Sequence, residues 1–192
     1  PRDAGHLSVR LKATDQSGAA VSDVFDIVTD ALSLIVGTTD QDVLYGDSTA
    51  NSLHGMGGYD RLFGGAGDDV LDGGADMDHL CGEEGNDLYL VNPGEGSTTI
   101  FNRDFLRDSA NPSLPQAVDT LRLGPGVTPA DVKVHQHGVN MVITLRTTGE
   151  TIYVEKWFAA LDTWLTRTAD FKLDRLEFAD GTVWDTTRME AE

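Results

Sequence analysis

Residues 37–90 read GTTDQDVLY GDSTANSLH GMGGYDRLF GGAGDDVLD GGADMDHLC GEEGNDLYL, six consecutive blocks of nine residues without a gap. Position one is glycine in every block. Position six is aspartate in five blocks and Asn51 in the second, and position eight is leucine in five blocks and Tyr89 in the sixth. A flexible Gly/Asp-rich linker would not place leucine at every ninth residue, so the pattern predicts a structural repeat.

The period of nine indicates the architecture. Nine residues are too few for a helix and its return, but they suit a six-residue turn and a three-residue strand, with two such units forming one coil of a solenoid. The position-eight side chain then points inward, while positions seven and nine face outward. Glycines allow positive φ and close stacking of the turns, with their carbonyl oxygens facing a common point. We therefore predict an all-β fold whose central part is a parallel β-roll.

The composition favours a cation as partner. The chain has 14 Lys plus Arg against 32 Asp plus Glu, a net charge of −18, which argues against nucleic acid and anionic membranes. Asp outnumbers Glu by 24 to 8, and Asp is the carboxylate typical of metal-binding loops. The one cysteine, Cys81, excludes an internal disulfide framework. Position-six carboxylates and turn carbonyls form an oxygen-only cage, which selects Ca²⁺ over Zn²⁺ or copper.

The blocks resemble the GGxGxDxUx repeats of RTX proteins, which bind Ca²⁺. In that family each ion lies between repeats n and n+2 on one edge of the roll, so the resemblance implies four sites, two per edge. The implied side-chain pairs are Asp42 with Asp60, Asp60 with Asp78, Asn51 with Asp69, and Asp69 with Asp87. The implied carbonyl ligands are Gly55, Gly57, Gly58, Gly64, Gly65, Ala66, Gly67, Gly73, Gly74, Ala75, Asp76, Gly82, Glu83 and Gly85.

Departures from the repeat pattern rank these sites. In the second block Thr49 replaces a turn glycine and Asn51 replaces the aspartate; a β-branched residue resists positive φ, and an amide carries no charge. We expect its site to be the weakest. Asp40 and Asp76 replace the same glycine with less harm, because Asp tolerates the left-handed region. Blocks three to six match the pattern best.

The flank before the repeats, residues 1–36, contains two alternating segments, 7–13 and 21–28, which predict strands. The stretch GHLSVRLKATDQSGAAVSDVFDIV resembles the last two strands of cadherin-like or Ig-like modules of bacterial adhesins. Two strands seldom fold alone, so the flank is expected to be part of a β-sandwich or a lid over the first coil.

The flank after the repeats begins with an exit segment at 91–118, where Thr98 stands in place of the usual Asp. The chain from 119 to 187 resembles the haemolysin-type calcium-binding-related domain. Its pattern predicts strands at 119–123, 131–137, 140–146 and 150–154, hairpin turns at 147–150 and 180–181, and a helix from about 155 to 165. A tail follows at 188–192. Five aromatic residues, Trp157, Phe158, Trp164, Phe178 and Trp184, are expected to form a core that caps the open end of the roll.

Enzyme motifs are missing from the sequence. It contains no GxSxG elbow, HExxH helix or phosphate-binding glycine loop. His135 and His137 share a predicted strand face that alternates with valines, which predicts that they face solvent. Cys81 has no histidine partner suggested by the sequence. Asp68 and Asp69 are better explained as a solvated neighbour and a ligand than as an acid and base couple. We expect no catalytic activity.

Two functions remain open. The chain is either a segment of a large secreted adhesin or surface protein, or the secretion and folding tail of an extracellular enzyme or pore-forming toxin. No apolar run long enough to span a membrane occurs, and Pro1-Arg2-Asp3 is not a secretion leader, so any such signal is expected elsewhere. The RTX resemblance implies type I secretion from a Gram-negative bacterium; an adhesion target is not specified by the sequence.

Overall fold

The computed structural model describes residues 6–14, 20–28, 32–103, 117–158 and 172–191. These residues form sixteen β-strands and one short α-helix. The chain divides into two compact units, Pro1–Leu32 and Ser33–Glu192. The second unit contains all six nine-residue blocks.

The first unit is a two-stranded antiparallel sheet. Strand β1 (His6–Thr14) pairs with β2 (Ala20–Val28), with Val9 opposite Phe25. The two strands predicted at 7–13 and 21–28 are therefore confirmed. Their antiparallel pairing follows from the short connection between them, since adjacent strands joined by a few residues form a hairpin.

The second unit is built from two seven-stranded sheets. One contains, in spatial order, β16 (Val183–Asp185), β15 (Arg175–Glu177), β11 (Thr120–Leu123), β9 (Leu88–Val91), β7 (Val70–Asp72), β5 (Asn51–His54) and β3 (Ser33–Val36). The other contains β12 (Val132–His137), β13 (Asn140–Leu145), β14 (Thr151–Val154), β10 (Gly96–Ile100), β8 (Asp76–Glu84), β6 (Arg61–Ala66) and β4 (Val43–Tyr45).

Successive blocks alternate between the two sheets. Within each sheet, neighbouring strands of the repeat region are parallel and 18 residues apart: Leu53 lies opposite Leu71 in one sheet, and Leu62 opposite Leu80 in the other. One coil of the solenoid is therefore two nine-residue blocks. This confirms the predicted parallel β-roll.

The position-eight side chains form the core of the roll. Leu53, Leu62, Leu71, Leu80 and Tyr89 are all fully buried. Burial of each such side chain contributes about 1.5–3 kcal/mol, and the column runs through the middle of the solenoid between its two sheets. Leu44, in the first coil at the end of its sheet, is only half-buried.

The chain after the repeats continues both sheets. Strand β10 lies in parallel between β8 and β14, and β11 lies in parallel between β9 and β15. Strand β13 pairs in antiparallel fashion with both β12 and β14, and β15 pairs in antiparallel fashion with β16. A mainly antiparallel cap on the roll was predicted and is confirmed. All four strands predicted between 119 and 154 are present, with ends that differ by at most one residue.

Two features of the C-terminal part differ from the sequence prediction. The segment 91–118 contains strand β10, which adds a further turn to the roll instead of only leading out of it. The predicted tail contains most of helix α1 (Thr186–Ala191), whose Met189 is buried in the core; one apolar side chain on a short helix gives no periodic signal. The predicted helix near 155–165 lies largely outside the described residues, and 155–158 form turns.

The cap has an aromatic core. Trp157, Phe178 and Trp184 are buried, and the Phe178 and Trp184 rings meet edge to face with centroids 5.0 Å apart. Phe158 is partly buried and packs against the hydrophobic core, and Trp164 lies outside the described residues. In the part of the chain that the structure describes, no helix is both long and apolar enough to cross a membrane.

Candidate metal centre

The position-six side chains form a ladder along each edge of the roll. On one edge the backbone N–H of Asp42 donates to Asp60 Oδ1 at 2.8 Å, and that of Asp60 donates to Asp78 Oδ1 at 2.9 Å. On the other edge Asn51 donates in the same way to Asp69 at 2.7 Å, and Asp69 to Asp87 at 3.0 Å. The structure thus brings together all four predicted pairs; their role as ligands stays a prediction.

The second carboxylate oxygen has no partner at three of these positions. Asp60, Asp69 and Asp87 are each 1% exposed, and the Oδ2 atom of each is buried with no hydrogen-bond partner. Burial of a carboxylate oxygen without a partner is costly, and buried charges are normally paired or bound to a metal. Three unpartnered oxygens at equivalent positions therefore fit cation ligands.

Position-one glycines form the cradle around these oxygens. A Cβ atom placed on Gly55 would lie within 3.0 Å of both Asp60 Oδ2 and the carbonyl oxygen of Gly73, one coil later. A Cβ on Gly64 would approach Asp69 Oδ2 and the carbonyl oxygen of Gly82 in the same way. The space that a side chain would fill is thus faced by a carboxylate oxygen and a carbonyl oxygen, the two ligand types that Ca²⁺ prefers.

The turns of blocks three to six share one backbone conformation. Positions two and four have positive φ in all four of these blocks: Met56, Gly58, Gly65, Gly67, Gly74, Asp76, Glu83 and Gly85. Asp76, with φ of 82°, tolerates the left-handed region as expected. In the first two blocks, which are fully described, Asp40 and Thr49 do not adopt positive φ. The turn conformation therefore separates blocks three to six from blocks one and two.

The first two blocks also satisfy their own position-six oxygens. Thr38 donates its N–H and its hydroxyl to Asp42 Oδ2, at 2.6 and 2.8 Å. The N–H of Asp47 donates to Asn51 Oδ1 at 2.7 Å. A ligand oxygen that is already hydrogen-bonded within its turn competes for a cation less well. The Asp60–Asp78 and Asp69–Asp87 pairs therefore fit an ion best.

Burial perturbs the ladder carboxylates strongly. Desolvation raises the pKa of Asp69 to about 6, that of Asp78 to about 7 and that of Asp87 to about 8. The ionised form is thus disfavoured unless a cation compensates it. Among the described residues no three His, Cys, Asp or Glu side chains form a metal cluster, so each pair needs the turn carbonyls to complete its coordination.

Two members of the ladder, Asp119 and Asp174, were not predicted from the sequence. The N–H of Asp87 donates to Asp119 Oδ1 at 3.0 Å, and the N–H of Asp119 donates to Asp174 Oδ2 at 2.9 Å. A signal was available, because both aspartates precede a strand in the same DxL pattern as blocks one, three, four and five, in DTL at 119–121 and DRL at 174–176. On the other edge Thr98 lies opposite Asp78 and ends the carboxylate series.

The remaining candidate residues, His135, His137 and Cys81, are not members of this ladder. His135 and His137 are exposed on β12, and Val132 and Val134 are buried, as predicted. Cys81 is buried, which raises the pKa of its thiol to about 12 and keeps it protonated at neutral pH.

Comparison with known families agrees with this geometry. Residues 34–62 and 54–89 match the RTX calcium-binding nonapeptide repeat, and residues 140–188 match the haemolysin-type calcium binding protein related domain. The chain therefore carries RTX calcium-binding repeats, arranged as a β-roll, and a haemolysin-type calcium-binding-related domain. Its cofactor is Ca²⁺. Neither match includes residues 1–33.

Among solved structures, the chain is similar to a subunit of the mannuronan C5-epimerase of Azotobacter vinelandii, determined in solution. The two share 24% sequence identity with a TM-score of 0.41, over 67% of this chain and 84% of that one. No curated protein matches the chain.

Proposed function

We propose that the chain is a calcium-folded module of a secreted bacterial protein, in which Ca²⁺ bound between successive coils holds the roll together. The observation that carries this proposal is the set of buried, unpartnered Oδ2 atoms of Asp60, Asp69 and Asp87. A folded roll that buries these carboxylates without a cation pays their full desolvation cost, so binding energy becomes folding energy. The ion would be held by the position-six pairs and the turn carbonyls.

The negative charge of residues 37–90 favours the unfolded state when calcium is absent. Residues 37–90 hold 12 acidic residues and one basic residue, Arg61, and their apolar core is little more than one side chain per block. Such a segment stays disordered when calcium is scarce, as in the cytosol, and a disordered chain can pass a narrow exporter. Outside the cell, millimolar Ca²⁺ is equal to or above the dissociation constants of about 10⁻⁴–10⁻³ M that are typical of extracellular modules.

The cap supports the same function. Strands β14 and β15 pair directly with β10 and β11, so the cap covers the last coil of the roll. Exposed strand edges invite pairing with other chains, and solenoids need a terminal cap to avoid it. We therefore assign the haemolysin-type calcium-binding-related domain the role of closing the calcium-folded roll.

For the whole protein we propose a large adhesin or surface protein, exported by a type I system to the exterior of a Gram-negative bacterium. The antiparallel strands β1 and β2 and their resemblance to a cadherin-like module favour this choice. The chain itself is proposed to be non-catalytic. The sequence upstream of the chain distinguishes an adhesin from the alternative, the secretion tail of an extracellular enzyme or toxin. Tandem β-sandwich modules would support the adhesin, and a catalytic or acylated apolar domain would support the secretion tail.

Cleavage by trypsin at Arg61 tests the calcium-coupled folding. Arg61 is the one Lys or Arg between residues 37 and 90, and it lies in β6, which is paired on both sides by β4 and β8. We expect rapid cleavage at Arg61 in EDTA and protection in 10 mM Ca²⁺. Mg²⁺ at the same concentration serves as the control and should protect poorly, because its octahedral geometry at short distance fits carbonyl turns badly. Equal cleavage in EDTA and in Ca²⁺ would reject the proposal.

A further inference from the structure

The two edges of the roll end differently. On the edge of Asp42, Asp60 and Asp78, the next residue in register is Thr98, which has no carboxylate. On the edge of Asn51, Asp69 and Asp87, the next is Asp119, 32 residues along the chain and outside both matched families. Among the described residues, only the second edge therefore offers a carboxylate pair beyond the repeats.

The Asp87–Asp119 pair repeats the backbone-to-carboxylate hydrogen bond of the pairs inside the repeats. The bond from Asp87 N–H to Asp119 Oδ1 is 3.0 Å, equal to that from Asp69 N–H to Asp87 Oδ1. Both carboxylates are 1% exposed. Asp87 Oδ2 has no hydrogen-bond partner, and it lies against Gly82 as Asp60 Oδ2 lies against Gly55. Asp87 Oδ2 is thus a buried oxygen without a hydrogen-bond partner, like Asp60 Oδ2 and Asp69 Oδ2.

We propose that Asp87 and Asp119 hold an additional Ca²⁺ ion, outside the recognised repeats; this rests on the proposed function of the repeat sites. Such an ion would join the last repeat directly to β11, the strand on which β15 of the cap pairs, because Asp119 immediately precedes β11. Calcium would then bind the roll and the cap together, in addition to ordering the roll.

The structure also indicates where the column of ions ends. At the level after Asp119, the side chain of Asn102 donates from Nδ2 to Asp119 Oδ2 at 2.8 Å and to the Lys172 carbonyl oxygen at 2.9 Å. At the earlier levels the corresponding Oδ2 of Asp60, Asp69 and Asp87 has no partner. A neutral amide donor therefore takes the place of a cation beside Asp119 Oδ2, so we place no ion between Asp119 and Asp174.

Tyr89 completes this terminal network. Its hydroxyl donates to Asn102 Oδ1 at 2.8 Å and accepts from the N–H of Gly82 at 3.0 Å. This gives a reason for the change from leucine to tyrosine at position eight of the last block: leucine could not orient the buried Asn102 side chain. With its oxygen held by Tyr89, the amide must present Nδ2 to Asp119.

Counting bound Ca²⁺ in Asp87→Ala and Asp78→Ala tests the proposal by a matched comparison. Both residues end the predicted series on their edges, and both accept one N–H from the coil before. If Asp119 forms a site, Asp87 serves two ions while Asp78 serves one. By native mass spectrometry at saturating Ca²⁺, we expect Asp87→Ala to lose two ions and Asp78→Ala to lose one. Asp119→Ala should lose one.

The outcomes separate this inference from the proposed function. Equal losses of one ion in Asp78→Ala and Asp87→Ala would overturn the additional site and leave the repeat sites intact. No loss in Asp78→Ala would reject the repeat sites themselves. If Asp119→Ala does not fold in Ca²⁺, as judged by circular dichroism, the comparison of Asp78 with Asp87 still decides, because it leaves Asp119 unchanged.

Discussion

Replacement of Asp69 by alanine should remove stability only where calcium is present. Asp69 belongs to two proposed pairs, with Asn51 and with Asp87. Its Oδ1 accepts the Asn51 N–H, and its Oδ2 is buried without a hydrogen-bond partner. At ~10 mM Ca²⁺ a site with a dissociation constant of about 10⁻⁴–10⁻³ M stabilises the folded state by about 1.4–2.7 kcal/mol. The loss of two sites should therefore cost about 3–5 kcal/mol of unfolding free energy.

The neighbouring aspartate provides the control. Asp68→Ala changes the net charge by the same amount, but Asp68 is exposed and its Oδ1 accepts only from the Asn86 backbone and side chain. Loss of these surface contacts should cost about 1 kcal/mol at most. Urea unfolding in 10 mM Ca²⁺, followed by circular dichroism, compares the two variants with the parent.

The calcium dependence decides between a ligand and a structural role. Without calcium, the repeats of both parent and variant are expected to be disordered, and Asp69→Ala removes a carboxylate that folding would bury unpaired, so the variant should show no less β structure than the parent in EDTA. Equal destabilisation by Asp68→Ala and Asp69→Ala in Ca²⁺, or a loss at Asp69 that is unchanged by EDTA, would refute the reasoning.

Three further predictions follow from the same geometry. Asn51→Asp adds a charged oxygen at a fully buried position beside Asp69, so it should tighten calcium binding in calorimetry; weaker binding would contradict the proposed pairing. Because the cap pairs directly with the roll, tryptophan emission from Trp157 and Trp184 should respond to Ca²⁺, and indifferent emission would mean that the cap is merely tethered. Burial raises the folded-state pKa of Asp69, Asp78 and Asp87 to about 6, 7 and 8. Between about pH 4 and 8 the calcium-free folded roll therefore binds more protons than the unfolded chain, so its stability rises as the pH falls. In EDTA, β structure should increase as the pH falls from 8 towards 5, and a decrease would refute this.

The repeat region could be predicted in detail because its period encodes its geometry. Leucine at position eight specified the core column, and each of Leu53, Leu62, Leu71 and Leu80 is fully buried. The nine-residue period specified which blocks become neighbours, so the pairing of position-six residues 18 apart followed without long-range information. The role of glycine at position one also followed locally, from the close approach of turns.

The end of the ladder could not be predicted in the same way. Asp119 lies 32 residues after Asp87, whereas paired residues within the repeats lie 18 apart. No local sequence pattern fixes the length of the inserted segment. The amide of Asn102 and the hydroxyl of Tyr89 meet through the fold, 13 residues apart, at a point where the period is already broken. The hydrogen bonds from Thr38 to Asp42 Oδ2 could not be predicted, because a threonine in a turn can donate to several neighbouring backbone or side-chain acceptors.

Calcium-coupled folding of the roll can be measured by titrating the 192-residue chain with Ca²⁺ and recording far-UV circular dichroism. The Oδ2 atoms of Asp60, Asp69 and Asp87 are buried without a hydrogen-bond partner, and we propose that at neutral pH a cation compensates them in the folded roll. We expect little β structure from residues 37–90 in EDTA, a cooperative gain with Ca²⁺, and a much smaller gain with Mg²⁺. A calcium-free spectrum identical to the calcium-bound one would contradict it.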